Sequence, residues 1–156
     1  MTDEKVSNAL TGAAGVHFVV SELSRRGLIA LPTIRNTPGY DVIVVRSDGK
    51  RHANIQVKTT RNKANFFLMP SPSKIRTGPR DFYACVRWLK AENRFEAFLL
   101  TGLEARLEVA RSVREQQARK RREGRRGIWA SLHVAERGRF SAQSNAWKRR
   151  WERWSL

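Results

Sequence analysis

Cysteine is nearly absent from these 156 residues: Cys85 stands alone, which excludes a disulfide framework and any zinc site built on several thiolates. It lies in the apolar run Phe82-Tyr83-Ala84-Cys85-Val86, as expected of a chain kept in a reducing, cytoplasmic setting. Long apolar runs are missing too. Nothing approaches the roughly 18 residues of a membrane span, and the opening Met1-Thr2-Asp3-Glu4-Lys5 is no secretory leader. The expectation is a soluble, unsecreted protein with no membrane partner. The three histidines, His17, His52 and His133, are scattered without metal-ligand spacing. Acid is scarce as well: 14 Asp and Glu stand against 31 Lys and Arg, for a net charge of +17. Such self-repulsion is relieved only by an acidic partner, and nucleic acid is the default one. The excess is denser late in the chain, +8 over residues 1–100 and +9 over the last 56.

A chain of this length buries about 70% of its unfolded surface, enough for a core without disulfides or a structural metal. From Ser7 to Arg26, Ala9, Ala13, Val16, Val20 and Leu23 recur at three and four residues, one face of a helix that Gly27 ends. A short extended run, Leu28 to Pro32, follows. Tyr40–Arg46 and Arg51–Thr60 are rich in Val and Ile, and the Asp48-Gly49 between them predicts a hairpin. Further strands are expected at Phe66–Met69, Phe82–Leu89 and Phe95–Thr101, and a second helix from Leu103 to about Gln117. Beyond it, Arg119, Lys120, Arg121, Arg122, Arg125 and Arg126 read as a solvated or DNA-facing loop. Residues 128–134 suggest one more strand. Trp147, Trp151 and Trp154 recur at i, i+4 and i+7, the buried face of a last amphipathic helix. Helix, strands, helix is an α/β or α+β pattern. It divides into a core at 1–101 and a basic, Trp-rich, partly helical extension at 102–156 that packs on or extends it.

With a two-residue loop, facing residues of the hairpin sum to 97, so Asp41 faces Gln56. Side chains alternate, so Lys58 shares their face while Val42, Val44, Ile55 and Val57 form an apolar face suited to the first helix. Facing Cβ atoms lie roughly 4.5–5.5 Å apart, within reach of a common hard cation through oxygen.

Asp41, fourteen residues, then Gln56-Val57-Lys58 resembles the signature of the PD-(D/E)xK, or restriction-endonuclease-like, nuclease superfamily. The resemblance runs from Gly12 to Thr101 and takes in Gly39-Tyr40-Asp41, Ile55-Gln56-Val57-Lys58-Thr59-Thr60 and Asp81-Phe82-Tyr83-Ala84. It is strongest to small stand-alone members similar to Holliday-junction resolvases and methyl-directed restriction nucleases, some of which carry Gln in the Glu position. The fold it implies is a mixed β-sheet flanked by helices. The activity it implies is metal-dependent hydrolysis of DNA: Asp41, the Gln56 oxygen and the Val57 carbonyl holding Mg²⁺ or Mn²⁺, Lys58 positioning or activating water. Thr59, Thr60, Arg61 and Lys63 follow directly and would meet flanking phosphates. DNA is the expected partner, a homodimer is left open, and the location would be cytoplasmic and nucleoid-associated, with no cofactor but the metal. One position departs: many relatives carry a metal-facing Glu just after the helix glycine, where this chain has Val16. That departure and the neutral Gln56 keep a second reading alive, a catalytically impaired nuclease fold serving as a DNA-binding or interaction module. A basic RNA- or ribosome-associated protein is a third, without an aromatic RNA-binding signature to support it.

Overall fold

The computed structural model describes residues 6–34, 38–61, 65–123, 127–136 and 139–156. Helix α1 (Asn8–Arg25) is capped by Ser7, whose hydroxyl accepts from Leu10 N, and it leads into β1 (Leu28–Pro32). Strands β2 (Val42–Arg46) and β3 (His52–Arg61) form the hairpin, and β4 (Phe66–Leu68), β5 (Asp81–Leu89) and β6 (Arg94–Thr101) follow. Then come α2 (Gly102–Glu123), β7 (Ser131–His133), the short β8 (Ala135–Glu136) and β9 (Arg139–Phe140), and α3 (Ala142–Arg153). The main sheet runs β1-β2-β3-β5-β6; β3 and β5 are parallel and the other neighbours antiparallel. This is a five-stranded mixed sheet flanked by helices, the α/β class expected from the sequence. No helix among the described residues is long and apolar enough to cross a membrane.

Two core clusters lie on the two sides of the sheet. On one, Val19 and Leu23 of α1 meet Val42, Val44, Ile55 and Val57, with Trp151 of α3 closing the cluster over Ala97 and Leu99. On the other, Tyr83, Cys85, Phe98 and Leu100 are covered by Ala105 and Val109 of α2, Phe67 of β4, Leu132 of β7 and Trp147 of α3. Trp147 and Trp151 are buried and Trp154 sits edge-on to Phe82 at 5.3 Å, so the tryptophan stripe is core. The first and last helices meet: Arg26 donates to the Trp151 carbonyl, its guanidinium lies 4.8 Å from that indole ring, and Phe18 lies 5.9 Å from it.

Three details correct the sequence reading. The buried stripe of α1 is Thr11, Gly15, Val19 and Leu23. Ala9 and Ala13 are exposed, because Gly15 lets the helix sit close on β3 and the Thr11 hydroxyl, bonded back to the Ser7 carbonyl, can be buried. The hairpin register does sum to 97, but the loop has four residues. Arg46 N donates to the Arg51 carbonyl, Gly49 N donates to the Arg46 carbonyl, and Gly49 takes φ +72 while Asp48 stays at negative φ. Both loop lengths preserve the same pairing. Finally, α2 does not end near Gln117 but carries Arg119, Lys120, Arg121 and Arg122 in helix. Long straight-chain residues favour helix, and cations suit its C-terminal end.

Candidate functional site

The candidate site forms where β2 begins and β3 runs past it. Asp41 is fixed by its backbone: its N–H donates to the Ile55 carbonyl, and its carbonyl accepts from Thr33 N. Its carboxylate then takes over where the β2 ladder stops. Asp41 Oδ2 accepts from Val57 N at 2.7 Å and from Gln56 Nε2 at 2.5 Å. Lys58 stands two residues beyond Gln56 on the same face, opposite Cys85 of β5. All three side chains are half-buried. The Ile55 carbonyl points towards β2, and backbone direction alternates along a strand, so the Val57 carbonyl points the same way, into the space beside Asp41. A carboxylate, an amide, a strand carbonyl and an ammonium are thus gathered at one corner of the sheet.

The carboxylate, the amide oxygen and the strand carbonyl are hard oxygen donors that carry one negative charge between them, and the Lys58 ammonium beside them is no donor to a cation. The three oxygens fit a divalent cation of the Mg²⁺ type, which is commonly held by one or two carboxylates and completed by water and phosphate. The Gln56 amide presents nitrogen to the carboxylate, and a half-turn about its last bond exchanges the amide ends. Among the described residues no three His, Cys, Asp or Glu side chains cluster as a metal site.

The other sequence candidates divide. Thr60 shares the Lys58 face by alternation. Thr59 does not: it packs against Gly15, where an added Cβ would lie 1.9 Å from Thr59 Oγ1, and that buried hydroxyl has no partner among the described residues. Thr59 is therefore turned away from the face on which phosphate contact was expected, and Arg61 follows it. Val16 is half-buried against the α1-side core with Val20, not over the Lys58 face. Arg119, Lys120, Arg121 and Arg122 are exposed on the last turns of α2. Lys63, Arg125 and Arg126 lie outside the described residues.

Sequence reasoning missed Arg76. Its guanidinium donates to the Tyr40 hydroxyl at 2.7 Å and lies 4.7 Å from the centre of that ring, one residue from Asp41. Gly39, at φ +96, allows the approach, since a Cβ there would meet the guanidinium at 2.5 Å. Residues 70–80 that carry Arg76 are tied down by buried Ile75, whose carbonyl accepts from Arg106 of α2. No local pattern announces such an approach across 36 residues. Cys85 is not a competing nucleophile. Burial pushes its thiol up to about 12, only partly opposed by the Lys58 charge.

No protein-family model matches the chain, and no curated protein sequence matches it. Solved structures do. The bacterial homing endonuclease I-Ssp6803I aligns over 94% of this chain and 92% of its own, with a TM-score of 0.54 and 14% identity. The chain is similar in fold to that endonuclease. Hjc, a Holliday junction resolvase from the hyperthermophilic archaeon Archaeoglobus fulgidus, aligns over 59% of this chain and 73% of its own, at TM-score 0.41 and 16% identity.

Proposed function

We propose that this protein is a metal-dependent DNA endonuclease. The observation that carries the reading is the Asp41 carboxylate beside Gln56, Val57 and Lys58 at the start of the β2–β3 pair, on a fold similar to a homing endonuclease. Asp41, the Gln56 amide oxygen and the Val57 carbonyl would hold Mg²⁺ or Mn²⁺, which when bound polarises phosphate and acidifies water. Lys58, a compact cation with three donors, orients the attacking water and offsets charge on the scissile phosphate. Arg76, stacked on Tyr40, offers a bidentate fork to a neighbouring phosphate. The acidic partner that the +17 charge calls for is then the substrate itself. Its location would be cytoplasmic, on the nucleoid.

One observation favours the second reading, a nuclease fold retained as a DNA-binding module: among the described residues no three His, Cys, Asp or Glu side chains come together to hold a metal, and Val16 packs in the α1-side core rather than over the Lys58 face. Incubation with supercoiled, linear and four-way-junction DNA in Mg²⁺, Mn²⁺ or EDTA separates the two. The nuclease reading expects metal-dependent cleavage that Asp41→Ala and Lys58→Ala each abolish while DNA binding stays within a few-fold. Binding without cleavage under every metal selects the module, and cleavage retained in both variants removes the hairpin from the mechanism.

A further inference from the structure

The β4–β7 pair turns an aromatic face to solvent. Phe66 and Leu68 of β4, Ser131 and His133 of β7, Trp129 just before β7 and Gln116 of α2 line an open trough of about 380 Å³. Trp129 is 67% exposed, Leu68 60% and Phe66 45%. The other four tryptophans are buried or half-buried. Large apolar groups gathered at the surface mark a binding site more often than chance.

Trp129 is held there through its backbone. Gln116 Nε2 donates to the Trp129 carbonyl at 2.8 Å, and Trp129 N donates back to Gln116 Oε1 at 3.0 Å. The same amide nitrogen donates to Ser112 Oγ at 3.1 Å, and the buried Ser112 and Ser131 hydroxyls are 3.2 Å apart. Beside the indole, the Phe66 and His133 rings lie 5.9 Å apart. The platform is clamped to α2 before anything binds.

Charge names the occupant. Arg119 and Lys120 follow Gln116 by three and four residues, so they extend its side of α2. Arg119 and His133 also line the adjoining hollow. The acids there, Glu108 and Glu115, are engaged by Arg111 at 3.2 and 3.3 Å. Aromatic faces beside cations suit a base with its phosphates, because every base has a π-face and the cations track the backbone.

We propose that this trough stacks an unpaired base of bound DNA on Trp129, with Phe66 and His133 extending the platform and Arg119 and Lys120 holding the flanking phosphates. The proposal rests on the DNA-binding half of the reading above. The probe is a single-stranded oligonucleotide carrying 2-aminopurine, compared with the fully paired duplex of the same sequence. Trp129→Ala should weaken single-strand binding about tenfold and leave the 2-aminopurine unquenched, an effect within the range for one stacked base. Trp129→Phe should recover most of it, and duplex affinity should stay within about twofold. Single-strand affinity and quenching unchanged in Trp129→Ala overturn the proposal. So does a loss of self-association without a change in single-strand binding, which would assign the trough to a second copy. Should the Ala variant fail to fold, iodide quenching of the native protein decides: DNA that shields the exposed indole supports stacking, and DNA that leaves it open refutes it. Cleavage reads separately. An intact nuclease with an indifferent Trp129 loses only this proposal, and a stacked base with no cleavage loses only the nuclease.

Discussion

Thr59 of β3 buries a hydroxyl, pressed against Gly15 of α1, that has no hydrogen-bond partner among the described residues. Such an orphaned group costs stability on the order of 1–3 kcal/mol. Thr59→Val keeps the shape and removes the hydroxyl, so urea unfolding should show a gain of about 1 kcal/mol, and DNA affinity should not change. Gly15→Ala should do the reverse. Its Cβ would fall 1.9 Å from Oγ1 and 2.9 Å from Thr59 Cβ, and such overpacking costs about 1–3 kcal/mol. The alternation that puts Gln56 with Lys58 sends Thr59 the other way, against Gly15 and away from the phosphate contact expected of it. The orphaned hydroxyl was not legible in the sequence, because it depends on a helix 44 residues earlier.

At the level of elements, α3 is fastened by two acids of the sheet and its exit. Glu96, 3% exposed on β6, accepts from Lys148 Nζ at 2.8 Å and from Arg87 Nε at 2.9 Å. Glu104 accepts from Arg150 Nη2 at 3.0 Å and from Thr101 N at 2.8 Å. Burial alone would raise both carboxyls. The hydrogen bonds and charges of Lys148 and Arg87 at Glu96, and the Arg150 charge with the hydrogen bonds of Arg150 and Thr101 at Glu104, outweigh it and hold both below the ordinary value of 4.5. A depressed folded value means stability that is present above that ordinary value and lost as pH falls through the folded one. Acid titration below about pH 4.5 should therefore loosen α3 and shift the emission of Trp147 and Trp151 to the red. Glu96→Gln leaves Arg87 and Lys148 without their counter-charge, and should cost about 3 kcal/mol in urea unfolding. The strands of the main sheet, the hairpin register and the tryptophan face of α3 were legible because each is a local pattern of period two or near 3.6, whereas the short β8 and β9 carry no such pattern. The face of α1 was misjudged because a glycine and a threonine, not the alanines, pack on the sheet. Helix α2 runs past the point where its charge density suggests a loop, because Arg, Lys, Glu and Gln are good helix formers. Arg76 beside Tyr40 was invisible, since the two side chains meet from distant loops.

Across the whole molecule, the basic excess is partly spent internally: Arg87, Arg111, Lys148 and Arg150 have carboxylate partners. Arg119, Lys120, Arg121 and Arg122 project from the end of α2. If they meet DNA, replacing all four by Ala should flatten the log–log salt dependence of binding by about 0.9 for each phosphate no longer neutralised, with the melting temperature little changed. An unaltered slope would leave those charges to solvent. The meeting of Arg26 with Trp151 spans 125 residues of chain. During synthesis, strands made early must therefore wait with one apolar face only partly covered until α3 arrives to close the core over Ala97 and Leu99. Pairings of such range form late, since loop closure precedes their reward. Weakening this closure, as with Trp151→Phe, should hasten unfolding far more than it slows refolding. The interval before closure is when a nascent chain is most exposed to aggregation and to chaperones.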